Sequence, residues 1–194
     1  MIKIATILGT VRPGNYTGKA LALVQDEIKK NKDIELDIID PSKLNLALPG
    51  QSNNSFDSDR IREMILNATG IVISTPEYHG SFSATVKLII ENLGFPSSLA
   101  TKPVALLGVA AGQIGAIKSL EQLRSVCSHV GAIVLPGPVS VANVRSVFDE
   151  DGNCLDENIE KRVRSVATSL IDFIHNNICP RFALEQFVRE EVVI

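Results

Sequence analysis

Apolar residues in this chain follow two spacings in alternation, and that alternation limits the fold more than any other feature. Five short runs rich in Ile, Val and Leu read as buried strands: Ile2–Leu8, Ile34–Ile39, Gly70–Ser74, Val104–Val109 and Ala132–Leu135. The stretches after them carry apolar residues three and four apart. Ala20, Leu21, Val24 and Ile28 form one such set, Ile61, Met64, Ile65 and Ala68 the next, and Val86, Ile89, Ile90 and Leu93 the third. Ile117, Leu120, Leu123, Cys127 and Val130 follow, then Ile159, Val163, Val166, Leu170, Phe173 and Ile174. Each set falls on one side of a helix. Strands that alternate with helices are joined by right-handed crossovers, which build a parallel sheet covered on both faces.

Five strands and five helices within 194 residues predict one α/β domain spanning 1–194. Its expected form is a flavodoxin-like doubly wound five-stranded parallel sheet of order 2-1-3-4-5. Two stretches lie outside the alternation. Leu48–Asp59 is polar and turn-rich and reads as a surface loop, with Asp57 or Ser58 capping the second helix. Pro180–Ile194 is a tail whose Phe182, Leu184, Phe187, Val188, Val192 and Val193 need cover from the body or from a partner subunit.

Composition narrows the function by exclusion. A net charge of -3 gives no reason to expect nucleic acid or an anionic membrane as partner. No apolar run is long enough to span a bilayer, and Met1-Ile2-Lys3 leads into a strand pattern and not into a leader, so a cytoplasmic location is expected. Cys127, Cys154 and Cys179 are scattered, as are His79, His129 and His175, which leaves no metal-ligand spacing and no disulfide framework. Cys127 falls on the core face of its helix and reads as packing; Lys87 reads as a solvent or subunit-contact residue.

Doubly wound sheets bind ligands beyond the carboxyl ends of their strands, so function is expected after Leu8, Ser74 and Val109. The first loop holds Thr10, Arg12, Asn15 and Thr17, four groups able to donate to a terminal phosphate at a helix start. Taken alone, it fits an ordinary turn with a solvated arginine as well. It is neither a P-loop nor a GxGxxG turn: Gly14–Lys19 has three residues between its glycines where a P-loop has four, and Ala20 stands where a magnesium-binding hydroxyl is needed. The second loop, Thr75–Ser81, offers unpaired backbone groups and the aromatic face of Tyr78 to a planar ring. In the third, Ala110–Gly115, Gly112 and Gly115 permit close backbone approach at another helix start. Together the three describe a mononucleotide lying across the sheet edge.

These segments resemble the NAD(P)H-dependent FMN reductase family, the flavodoxin-like group of chromate, quinone and azo reductases. The family's Gly-Ser-x-Arg-x-x-Ser-x-Asn stands here as Gly9-Thr10-Val11-Arg12-Pro13-Gly14-Asn15-Tyr16-Thr17, and its Pro-Glu-Tyr-Asn-x-Ser as Pro76-Glu77-Tyr78-His79-Gly80-Ser81. The resemblance implies that Thr10, Arg12, Asn15, Tyr16 and Thr17 hold the FMN phosphate end. Pro76, Glu77, Tyr78 and His79 would line the isoalloxazine, and Ala111, Gly112, Gln113 and Gly115 would flank its other side. Asn15 and Thr17 replace Ser and Asn but keep hydrogen-bonding capacity, while His79 brings an imidazole that can change charge near neutral pH.

It further implies an oxidoreductase with FMN as cofactor and NADPH or NADH as donor. Hydride would pass to bound FMN and then, in a ping-pong cycle, to flavin, quinone, azo compound, chromate or a ferric acceptor. No side chain is expected to act as a catalytic acid or base, because the flavin carries the chemistry. A homodimer or homotetramer is implied as well. A flavodoxin-type electron carrier is the alternative, disfavoured by Arg12 and by the mild net charge. A response-regulator domain would need acidic residues where Gly9 and Thr10 stand.

Overall fold

The computed structural model describes residues 1–51 and 56–191, so Ser52–Ser55 of the expected surface loop and Val192–Ile194 of the tail lie outside the described residues. Strand β1 (Ile2–Leu8) leads into α1 (Tyr16–Lys29), β2 (Ile34–Ile39) into α2 (Phe56–Asn67), and β3 (Gly70–Tyr78) into the short β4 (Ser81–Phe82) and α3 (Ala84–Glu91). Then come β5 (Pro103–Val109), α4 (Ile117–His129), β6 (Ile133–Val134), β7 (Val139–Val141), α5 (Val144–Val147), α6 (Glu157–Phe173) and α7 (Cys179–Glu191). The sheet runs β2-β1-β3-β5-β6, with β4 paired to β3 and β7 paired to β5. All pairings are parallel except the β3–β4 hairpin.

This is the doubly wound α/β architecture expected from the sequence, altered at two places. The expected fifth strand, Ala132–Leu135, is shortened to β6, and the chain rejoins β5 as β7. Pro136 and Pro138 lie between the two pieces and cannot donate to a ladder, so the strand breaks there. The third strand also runs past Ser74 to Tyr78, because Thr75 and Pro76 continue the parallel register against Gly108 and Val109.

Side chains alternate across the sheet and feed two cores. Ile4, Val72 and Leu107 face α1 and α6, where they pack with Leu21, Val24, Val163 and Leu170. Ala5, Ile71, Ile73 and Leu106 face the other way, onto Ile61 and Ile65 of α2, Ile89 of α3 and Leu120 and Leu123 of α4. Cys127 is fully buried in this second core, and burial pushes its thiol up to about 12, so it stays a protonated packing group. Ile117, expected on the core face of its helix, is exposed. The α1–α6 contact also has a polar clasp: Arg164 donates to Asp26 (2.5 Å), Glu27 (3.2 Å) and Glu160 (2.8 Å).

Helix α2 does not take its cap from Asp57 or Ser58. It begins at Phe56, and those two residues lie in its first turn, where Asp57 accepts from the Asn45 amide (2.7 Å) and Ser58 donates to Asn92 (2.6 Å). The tail is helical: α6 runs through one π turn, Ile174–Ile178, into α7. That turn precedes Pro180, whose ring would clash with the Asn176 carbonyl in a regular ladder. Phe182, Leu184, Phe187 and Val188 are exposed on the single chain.

The end of β1 is held against β3 by the absence of a side chain. A Cβ on Gly9 would overlap the Ser74 carbonyl oxygen and come within 2.7 Å of Val86 Cγ2. Gly9→Ala is therefore expected to destabilise the fold by about 1–3 kcal/mol, read as a fall in thermal midpoint of about 2–4 °C per kcal/mol. An unchanged midpoint would contradict this close approach.

Candidate functional site

The carboxyl ends of β1, β3 and β5 open onto a cleft of about 370 Å³, a volume within the range of small-molecule sites. One end is built by the segment before α1. Asn15 caps that helix, accepting from the Gly18 amide at 2.6 Å and donating to the Arg12 carbonyl at 2.6 Å. Among the described residues the amides of Tyr16 and Thr17 have no protein acceptor, and both residues line the cleft. Two free amides at a helix start, backed by the helix dipole, form an anion site. Arg12 lines the same end and makes no ion pair among the described residues; its guanidinium lies 4.8 Å from the centroid of the Tyr78 ring.

The second segment departs from the open loop expected after strand 3. Glu77 pairs with Phe82 and Tyr78 with Ser81, and the hairpin turns on His79 (φ 51°) and Gly80 (φ 72°). Two successive positive φ values are the two-residue turn that suits a twisted hairpin. Much of this backbone is therefore already paired, and the side chains meet the cleft. Pro76, Glu77 and Tyr78 line it, while His79 sits exposed at the tip and is not among the lining residues. The hairpin is tied to α4 by Gln122, which donates to the Gly80 carbonyl (3.1 Å) and accepts from Ser81 (2.6 Å).

Thr10 is buried behind the first segment. Its hydroxyl accepts from the Arg12 amide and lies 3.3 Å from the Tyr78 hydroxyl, so it joins the first two segments and does not itself line the cleft. In the third segment, Ala110 and Ala111 line the cleft, whereas Gly112 and Gln113 are exposed outside it and Gly115 is buried against Ser140. The start of α4 has no cap from its own Ala116 side chain; the Glu77 carboxylate accepts from the Ser119 amide at 3.2 Å, and the Ser140 hydroxyl accepts from the Ala116 amide at 2.8 Å.

Two groups of residues were not singled out from the sequence as site residues. Val144 and Arg145 line the cleft, held by hydrogen bonds from the Asn143 amide to the Gly112 carbonyl (3.1 Å) and from the Val144 amide to the Ala110 carbonyl (3.1 Å). The signal for them was topological: the segment after the last strand reaches the same sheet edge as the others. Ser83, at the start of α3, donates to the Gly9 carbonyl (2.5 Å) and accepts from the Val86 amide (3.1 Å), while its own amide donates to Thr75 (3.1 Å). Lys87 pairs with Glu91 on the surface of α3, away from the cleft.

A family model described as NADPH-dependent FMN reductase matches residues 2–145. The chain belongs to that family. Membership makes it an oxidoreductase with FMN as cofactor and a reduced nicotinamide nucleotide as electron source. It is 26% identical over 174 residues to a 2-hydroxy-1,4-benzoquinone reductase of Burkholderia sp, covering 84% of this chain and 91% of that protein. Identity is also 26% over 180 residues to an FMN-dependent NADPH-azoreductase of Staphylococcus aureus, covering 88% and 94%. Among solved structures, FerB, a flavoenzyme NAD(P)H:acceptor oxidoreductase of Paracoccus denitrificans, superposes with a TM-score of 0.75 at 21% identity, over 90% of this chain and 98% of that one. At that identity the superposition speaks for the fold alone.

The residues present suit an FMN: the free amides beside Arg12 are donors for a phosphate, and Tyr78 brings an aromatic side chain to the cleft wall. Ser83→Ala should leave the buried Gly9 carbonyl and Val86 amide without partners, at about 1–3 kcal/mol. Chemical denaturation at constant m-value is the measurement; a shift of under about 0.5 kcal/mol would show the two groups satisfied otherwise.

Proposed function

We propose that the chain oxidises NADPH or NADH and reduces a small acceptor in a ping-pong cycle, with FMN seated in the cleft. Free flavin, a quinone, an azo compound, chromate or a ferric complex would serve as acceptor. The observation that carries this reading is the pairing of Arg12, free of any acidic partner among the described residues, with the open amides of Tyr16 and Thr17. The names of the Burkholderia and Staphylococcus relatives support quinone and azo acceptors.

FMN, when bound, would supply the redox chemistry, the relay of a hydride equivalent from the nicotinamide to the acceptor as two electrons. The protein's part is placement. Arg12 and the α1 amides would hold the phosphate, and Asn15 keeps that helix start in shape. Tyr78 gives the flat ligand an aromatic neighbour. Arg12, Asn15, Tyr16 and Thr17 would thus serve the phosphate end, with Thr10 behind them, and Pro76, Glu77, Tyr78 and Ala111 the ring end, with Val144 and Arg145 added to the lining; His79, Gly112, Gln113 and Gly115 lie outside it.

The working form is proposed to be a homo-oligomer. Phe95 is fully exposed beside a groove of about 890 Å³ between α3 and α4, and the apolar side chains of α7 also stand open. A cytoplasmic location accords with three cysteines that are all free thiols.

The protein should bind FMN, and anaerobic NADPH or NADH should bleach the bound flavin rapidly. Bound FMN that neither nucleotide reduces would turn the assignment toward an electron carrier. Arg12→Ala should lose a charge-assisted contact of about 1.5–3 kcal/mol, or roughly ten- to a hundredfold in FMN affinity; titration of the apoprotein checks it. Light scattering after size exclusion should give a multiple of the 20.9 kDa chain mass. Phe95→Asp should lower that multiple, and a wild-type monomer would refute the assembly.

A further inference from the structure

The start of α4 carries a charge from another element. Its N-cap position is Ala116, which has no side-chain oxygen, yet the third residue of the helix, Ser119, donates its amide to the Glu77 carboxylate at 3.2 Å. Glu77 belongs to β3, forty-two residues away in sequence, and also lines the cleft. Two other bonds here go to neutral partners, the Ala116 amide to the Ser140 hydroxyl and the Ser119 hydroxyl to the Ala116 carbonyl at 2.9 Å, while the amides of Ile117 and Lys118 have no protein acceptor among the described residues. Among the described residues, no Lys or Arg pairs with Glu77.

A helix start presents roughly half a positive charge, carried by its unpaired amides. A carboxylate seated on the amide of its third residue opposes that charge. The cleft is therefore flanked at Glu77 by a carboxylate, where a bare helix start would have been attractive to anions. Two-electron reduction of FMN with uptake of one proton adds a negative charge to the ring. A carboxylate nearby opposes that charge, and a bare helix start would favour it.

We propose that Glu77 is a positioning residue that caps α4 from outside the helix and, through its charge on that helix start, weakens the site's preference for reduced over oxidised FMN. Its effect is to keep the bound flavin a stronger reductant toward the acceptor. This rests on the reading of the cleft as an FMN site.

Two variants separate charge from hydrogen bonding. Glu77→Gln keeps an oxygen for the Ser119 amide and removes the charge; Glu77→Ala removes both. The apoprotein of Glu77→Ala should melt about 2–4 °C below wild type, as for a lost helix cap, while Glu77→Gln should melt with the wild type. In the FMN-loaded protein, spectroelectrochemical titration should show Glu77→Gln favouring reduced FMN by about tenfold more than wild type, which for a two-electron couple is a rise of about 30 mV. An unchanged potential in Glu77→Gln overturns the charge role and leaves the FMN reading standing. Failure of Glu77→Gln to bind FMN also overturns it, since the amide retains the Ser119 contact. An unchanged melt in Glu77→Ala overturns the capping role. If wild-type protein takes up no FMN, the cofactor reading itself fails, and the proposal fails with it.

Discussion

Everything at the functional edge depends on a few buried hydrogen bonds that lock the ends of β1 and β3 together. Ser74 donates to the Ile7 carbonyl at 2.8 Å, Ser83 donates to the Gly9 carbonyl at 2.5 Å, and the Ser83 amide donates to Thr75 at 3.1 Å. Parallel strands stop pairing where their chains turn away, and the backbone groups freed there must find partners or bear a desolvation cost. Here short hydroxyl side chains supply those partners in a space from which side-chain bulk on Gly9 is excluded. The segment before α1 and the β3–β4 hairpin are thereby fixed relative to one another. Preformed geometry of this kind lowers the ordering cost of binding.

The two ends of the cleft treat charge in opposite ways. At α1 the cap is Asn15, a neutral side chain, so the helix start remains attractive to a phosphate, and Arg12 adds to that attraction. At α4 the cap is a carboxylate. An open helix start attracts an anion, and a carboxylate on one of its amides weakens that attraction. The difference lies in one side chain at each helix start.

The strands and helices were legible because burial on both sides of a parallel sheet writes long apolar runs, and because one-sided helices write a spacing of three and four. Ile4 and Ala5, or Leu106 and Leu107, enter opposite cores as that reading requires. The polar segment before α1 was legible because Arg12, Asn15 and Thr17 cluster in sequence, and all three line the cleft. The hairpin was not: its turn is His79-Gly80, not one of the common Asn-Gly or Asp-Gly pairs, and its strand β4 is only two residues long. Ser83, Val144 and Arg145 escaped because their roles come from tertiary contacts with residues distant in the chain. The cap of α4 could not be read locally, since Ala116 carries nothing that caps a helix.

The interruption of the outer strand by Pro136 and Pro138 bears on how copies of this chain can meet. A continuous outer strand offers a row of free amides and carbonyls onto which another chain's strand could add. Split into pieces of two and three residues, β6 and β7 offer no such row. Sheet-to-sheet extension, the route to fibres, is closed at that side. Any contact between copies on that side falls to helix surfaces, where it depends on shape and side chains; the opposite edge is β2, a continuous strand of six residues.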